Sequence, residues 1–285
     1  MCAQAAQWSA EKVLDRLSVL EARFTPVTPW WGGGPNGCTT EFPSSSSIVG
    51  RVRWFLRTAY NTFCAKEREL DNYEASRKFV DELLGSTGSA SAYSFQIQIE
   101  ALGSSPKFVD KSLSRVSQVP RVKLAMLGRK NQQCDSSGLG WAELKTRLPV
   151  EGNPFRLIVR RRDAVPRPRD DDVISGAVLI TLAYLGVGKA ASRGLGRFYP
   201  EPDAHVPQGA EGVMKGVLSG DPKAAFSAFY GAFRAACGGG DGPNDWRRSA
   251  VPLAPLAEDI VVLRHQGEVI DTLIRLGNCF MKSAW

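Results

Sequence analysis

The sequence has no apolar run of about 18 residues, the length a membrane-crossing helix needs. Histidine is scarce: His205 and His265 are the only two. The six cysteines, Cys2, Cys38, Cys64, Cys134, Cys237 and Cys279, lie far apart, and no Cys/His spacing suits a metal. Met1 to Glu11 carries no basic stretch ahead of an apolar core, so no secretory signal is expected. Scattered cysteines without such a signal suggest reduced thiols in a cytoplasmic protein. No internal repeat is found. The expectation is a chain with no metal, no cofactor and no membrane partner.

What is present is ordinary material for a globular protein. The chain has 285 residues, 43% of them hydrophobic and 23% charged, enough for a sizeable core. The net charge is +7 and the pI about 9.2. That balance favours an anionic partner.

One stretch concentrates both glycine and positive charge. Gly186-Val187-Gly188-Lys189-Ala190-Ala191-Ser192-Arg193-Gly194-Leu195-Gly196-Arg197-Phe198 holds four glycines and three basic side chains. Glycine permits positive φ and close backbone approach. Successive N–H groups in such a turn form an anion-binding concavity. A phosphate or phosphodiester chain is the natural ligand, with Gly188, Lys189, Ser192, Arg193, Gly194, Gly196 and Arg197 as candidate contacts. A nucleotide-hydrolysing P-loop is a poor fit. Ala183 stands where its first glycine belongs, Ala190 stands where its Mg²⁺-binding hydroxyl belongs, and a helix rather than a strand precedes the loop.

The remaining pattern is mixed α and β. Trp8, Val13, Leu14, Leu17 and Leu20 suggest a lead-in helix over 1–21. Phe24 to Pro29 reads as an edge-type strand because of its prolines. Trp30 and Trp31 open a glycine-rich loop, where they either stack on bases or pack over a core edge. Ser44 to Ser47 offers N-caps for a helix with Ile48, Val52, Phe55, Leu56, Ala59 and Phe63 on one face. Arg53 and Arg57 lie opposite that face, toward solvent or a polyanion, and Arg51 lies off to the side. A second amphipathic helix ends at Gly85. Ser94 to Glu100 alternates as a strand, and Val122, Leu124 and Met126 alternate more weakly. Residues 128–141 read as an exposed loop. Phe155 to Arg162 is a further strand. It opens a segment with six arginines between Arg156 and Arg169, among which Arg160 and Arg162 are candidate nucleic-acid contacts. Asp170-Asp171-Asp172 starts a helix, where acids suit the dipole. That helix is apolar all round and should be buried. Two helices over 212–236, broken near Gly220-Asp221-Pro222, and a mainly helical segment from Leu256 complete the chain.

This order is β-α-β-β-α-β, the ferredoxin-like (RRM-like) arrangement of an α+β protein. The glycine-rich stretch resembles the signature of the repeat-associated mysterious protein (RAMP) superfamily of CRISPR systems. Thr28-Pro29-Trp30-Trp31-Gly32-Gly33, Glu41, and Ser47-Ile48-Val49-Gly50-Arg51-Val52-Arg53-Trp54-Phe55 resemble the family of first subunits of Cmr-type (type III-B) effector complexes. Leu83-Leu84-Gly85-Ser86 before a strand is also similar. Two positions depart: Val49 stands where members usually carry Lys, and Phe42-Pro43 where an Arg commonly follows the glutamate. The resemblance covers about residues 22–200. It implies a ferredoxin-like core over 22–200 with an insertion over 102–154, and residues 201–285, outside the resemblance, read as a mainly helical region from their own pattern.

What the resemblance implies for function is a noncatalytic subunit of an RNA-guided antiviral ribonucleoprotein. It would hold guide RNA and target single-stranded RNA by their backbones, beside other RAMP subunits. Phosphate contacts carry no direct sequence information, so binding to all sequences is expected. Two other readings stand beside it. One is a RAMP-family endoribonuclease using His205, His265 or Glu41. The other is a structural adaptor that touches no RNA.

Overall fold

A computed structural model describes residues 17–32, 39–64, 71–85, 95–102, 118, 152–162, 168–237, 254–262, 266–268 and 271–276. The alternation over Val122–Met126, the loop over 128–141, most of the 102–154 insertion, and His265 lie outside these residues. So does the lead-in helix up to residue 16.

Four strands form the sheet: β1 (Ser18–Pro26), β2 (Phe95–Ala101), β3 (Phe155–Arg161) and β4 (Phe198–Pro200), in the order β2-β3-β1-β4. Each neighbouring pair is antiparallel. β1 and β2 are therefore parallel to each other with β3 inserted between them. β3 and β4 flank β1 in the same way. This is the split β-α-β topology that the element order predicts.

Two strand expectations need correction. Ser18 to Leu20 belongs to β1 and not to a helix. Val19 and Leu20 are both buried, and the register with β3 shifts between Ser18 and Leu20. That irregularity removes the period-two signal. β1 is also central rather than at an edge. Its Pro26 is the last residue of the strand, so the missing N–H interrupts no ladder.

The helices cover one face of the sheet. α1 (Ser45–Phe63) starts at Ser44, whose hydroxyl accepts from Ser47 N. It buries Ile48, Val52, Phe55, Leu56, Ala59 and Phe63, the stripe expected from the spacing. α2 (Asp71–Leu84) ends at Gly85, whose φ is +70°. α3 (Pro168–Ile180) runs into a wider π-helical turn, Thr181–Leu185. Residues 173–183 are all buried. α4 (Glu211–Leu218) and α5 (Pro222–Cys237) break at Gly220, φ +66°.

α5 lays an aromatic row across the other helices. Phe55 of α1 meets Phe229 at 5.0 Å and Phe226 at 5.9 Å between ring centroids. A β-carbon at Gly176 of α3 would stand 3.0 Å from Phe229 Cδ2, so α3 and α5 cross closely. The region beyond residue 200 thus shares its core with the sheet and α1.

Two C-terminal expectations also change. Residues 254–262 are not helical. Pro255 lacks the N–H a helix needs. The segment is held by Ala254 N donating to Thr62 Oγ1 (2.8 Å) and Tyr230 OH donating to Pro255 O (2.5 Å). Helix appears again at 271–276. Cys64, at the end of α1, and Cys237, at the end of α5, form a disulfide across 173 residues, with Cα atoms 6.0 Å apart. The expectation of reduced thiols is corrected for this pair. The other four cysteines lie outside the described residues.

Candidate nucleic-acid interface

The glycine-rich stretch joins the π-helical turn to β4, and its backbone is pinned at both ends. Val187 N donates to Gly196 O (2.9 Å), and Gly196 N donates to Pro29 O (2.8 Å). Lys189 N donates to Trp31 O (2.6 Å), and Val27 N donates to Arg197 O (2.9 Å). Arg197 N donates to Thr28 Oγ1 (3.0 Å). The loop is thereby fastened to the chain leaving β1.

Gly186, Gly188, Gly194 and Gly196 all have φ between +69° and +87°. Ala190 shares that region at φ +61°. A β-carbon at Gly196 would overlap the Val187 carbonyl, and one at Gly188 would overlap the Trp30 ring. At Gly186 it would stand 2.5 Å from Leu195 O. These glycines let the loop close on itself and on the two tryptophans. Gly194 faces Leu273 of the 271–276 helix, whose Cδ2 would be 2.6 Å from a β-carbon there.

The loop's outer side is exposed at Gly188, Lys189 and Ser192. Among the described residues, the Gly188 N–H meets no protein acceptor. Lys189 Nζ lies 5.9 Å from the Trp31 ring centroid, within the cation–π attraction of that ring. Arg197 is half-buried, and burial pulls its pKa down from the ordinary arginine value, against the opposing pull of Tyr199. Its Nε is buried with no partner among the described residues. The side chain of Arg193 lies outside the described atoms.

The other expected contacts divide sharply. Trp30 and Trp31 are buried, at 0% and 2% exposure, so neither presents a ring face to a base. Trp30 packs on Phe198, 6.2 Å between centroids, and under Gly188. The tryptophans support the loop. Arg53 bonds Asp81 (2.9 Å) and the Leu84 and Gly85 carbonyls, capping the C-terminus of α2. Arg57 Nη2 is 3.9 Å from the same Asp81.

In the arginine-rich segment, Arg160 donates to Gln98 Oε1. Arg156 pairs with Glu21 and Glu100, and Arg161 with Asp171. Burial pushes the Asp171 carboxyl up, with Arg161 pulling the other way. Arg162 is exposed beyond the end of β3. Arg51, which sequence pattern does not single out, donates from Nη2 to Leu185 O at 3.5 Å, where the loop begins.

No cluster of three His, Cys, Asp or Glu side chains among the described residues could hold a metal. His205 is exposed and exchanges backbone hydrogen bonds with Glu21. The Glu41 carbonyl accepts from Asn153 N (2.8 Å). No helix among the described residues is long and apolar enough to cross a membrane.

A family model described as the RAMP superfamily matches residues 23–199, from β1 through the loop into β4. The chain belongs to the RAMP superfamily. Solved structures agree on the fold of this RAMP chain. Cmr1 from Pyrococcus furiosus in its apo form superposes with TM-score 0.58 at 13% identity, over 93% of this chain and 71% of that one. A chain of the type III-B Cmr-beta complex bound to cognate target RNA gives 0.52 at 14% identity, over 76% and 62%. A chain of the same complex with AMPPnP and single-stranded DNA present gives 0.54 at 12%, over 81% and 66%. This RAMP chain therefore spans under two thirds of one Cmr-beta chain and about two thirds of the other. No curated protein sequence matches it.

Proposed function

We propose that this RAMP chain is a noncatalytic RNA-binding subunit of a type III-B CRISPR RNA-guided effector complex. It holds guide RNA and target single-stranded RNA by their backbones, with other RAMP subunits as partners, in cytoplasmic antiviral defence. The observation that carries this reading is the loop itself. It is fastened to β1 by its backbone and presents Gly188, Lys189 and Ser192 outward. An N–H without a protein acceptor, beside a lysine, suits a phosphate oxygen. The net charge of +7 has the sign this ligand requires. The fold likeness to chains of complexes bound to cognate target RNA supports the same choice.

The test uses the whole chain and labelled single-stranded RNAs of several sequences. Binding should be similar across sequences and fall steeply with salt, because phosphate contacts release counterions. The RNA should remain intact with and without Mg²⁺. Absence of binding at low salt contradicts the proposal. Cleavage lost in His205→Ala or Glu41→Ala favours the endoribonuclease reading.

A further inference from the structure

The chain beyond residue 253 is rooted in the core and then leaves it. Ala254 is buried, and its N–H donates to Thr62 Oγ1 (2.8 Å) and to Thr58 O (3.3 Å) in the C-terminal half of α1. Tyr230 OH donates to Pro255 O (2.5 Å). Further on, Val261 is 78% exposed, and Gln266, Gly267 and Glu268 are exposed as well. The chain then returns to the molecule at the glycine loop, where Leu273 of the 271–276 helix meets Gly194.

That contact takes up what Gly194 has to offer. Its φ is +87°, and its N–H donates to Ala191 O (3.0 Å), so the donor is already engaged. What remains is a bare α-carbon that another group can approach closely. Leu273 fills this space: its Cδ2 would stand 2.6 Å from a β-carbon at Gly194. The helix that carries Leu273 is weak by construction. Six residues are far fewer than a helix needs to be stable alone. Residues 271–274 are half-buried, and Arg275 and Leu276 are exposed. Elements with so little buried surface open locally at low free-energy cost. Over 266–276 the charged residues are Glu268, Asp271 and Arg275, two acids against one base, so the segment brings no charge that attracts phosphate.

We infer that the 271–276 helix is an autoinhibitory strap: in the free chain it covers the glycine loop at Gly194, and RNA displaces it in order to run the length of the loop. The inference rests on the proposed function and adds a regulation to it. Gly188, Lys189 and Ser192 stay exposed while Leu273 is docked, so a strand engages them first and passes Gly194 only when Leu273 withdraws. The anchor at Ala254 and Pro255 keeps the displaced helix tethered for redocking. A docked strap lowers the apparent affinity in proportion to the fraction of molecules left undocked.

The test uses the whole chain and labelled oligouridylate. Leu273→Ser removes the side chain that fills the space at Gly194. It should bind RNA about threefold more tightly or better, the gain expected when the strap is docked in roughly two thirds of free molecules. Val261→Ser makes the same kind of change at an exposed point of the same segment and should bind as the wild type does. A second measurement needs no variant and stays readable if Leu273→Ser unfolds. Trypsin cleavage after Arg275, followed by mass spectrometry, should be faster when the wild-type chain is saturated with RNA, because a released helix is cut more readily. Leu273→Ser with wild-type or weaker affinity, or an equal gain in Val261→Ser, overturns the strap. So does cleavage at Arg275 that RNA slows or leaves unchanged. In each of these cases RNA binding by the wild-type chain leaves the proposed function standing. Wild-type chain that binds no RNA overturns both.

Discussion

At Gly196 a β-carbon would overlap the Val187 carbonyl, and the backbone already sits at φ +69°. Gly196→Ala combines a strained conformation with a backbone clash. It should cost at least about 1–3 kcal/mol of stability, the scale for residues forced into sparsely populated backbone regions. Urea denaturation measures this, and an unchanged midpoint would show that the loop closes differently. The sequence made the positive φ of all four glycines legible, because few other residues tolerate it. It did not reveal what the glycines approach. Their neighbours are Val187, Leu195, Trp30 and Leu273, brought together by loop closure, by the distant segment that leaves β1, and by a helix some 80 positions later in the chain, from Gly194 to Leu273. The same limit applied to the arginines. Arg53 and Arg57 are charged residues opposite an apolar stripe, so periodicity alone marks them as available. Asp81, on the next helix, claims them. Arg51 lies off to the side of the stripe, and its contact, Leu185 O, is 134 positions away and beyond the reach of periodicity.

Elements with a clean period were legible, and those whose burial broke the period were not. The α1 stripe and the alternation of β2 each present one apolar face to one neighbour. β1 buries the adjacent pair Val19 and Leu20 around a register shift, and so looked helical at its start. The segment around Pro255 is tied to α1 and Tyr230, and its own backbone closes only short turns, Asp259 N to Leu256 O and Ile260 N to Ala257 O. α1 and α5 gain a covalent tie that spacing could not predict, Cys64 to Cys237. A crosslink closing a loop this long restricts the unfolded chain strongly. Reduction should lower unfolding stability by about 2–4 kcal/mol, the typical disulfide contribution. Cys64→Ser should show the same loss without reductant and no further loss with it. Identical denaturation curves with and without reductant would show that the tie adds nothing.

For the whole molecule, one core spans the sheet, α1, α3, α4 and α5, and the glycine loop rides on its edge. The loop's shape is thus set by the segment that leaves β1: Pro29, Trp31 and Thr28 hold it by backbone and hydroxyl. Such a preformed loop suits phosphate binding without sequence preference, since donors on a rigid backbone read geometry and charge. The most direct measurement is the salt dependence of RNA binding by the chain with Lys189, Arg193 and Arg197 all changed to Ala. Affinity should fall about equally for every RNA sequence, and the log–log salt slope should drop by roughly 0.7 for each phosphate that the variant no longer neutralises. Wild-type affinity and wild-type slope in that variant would contradict the account, reducing the loop to a turn and moving the search for the RNA track to Arg156 through Arg169.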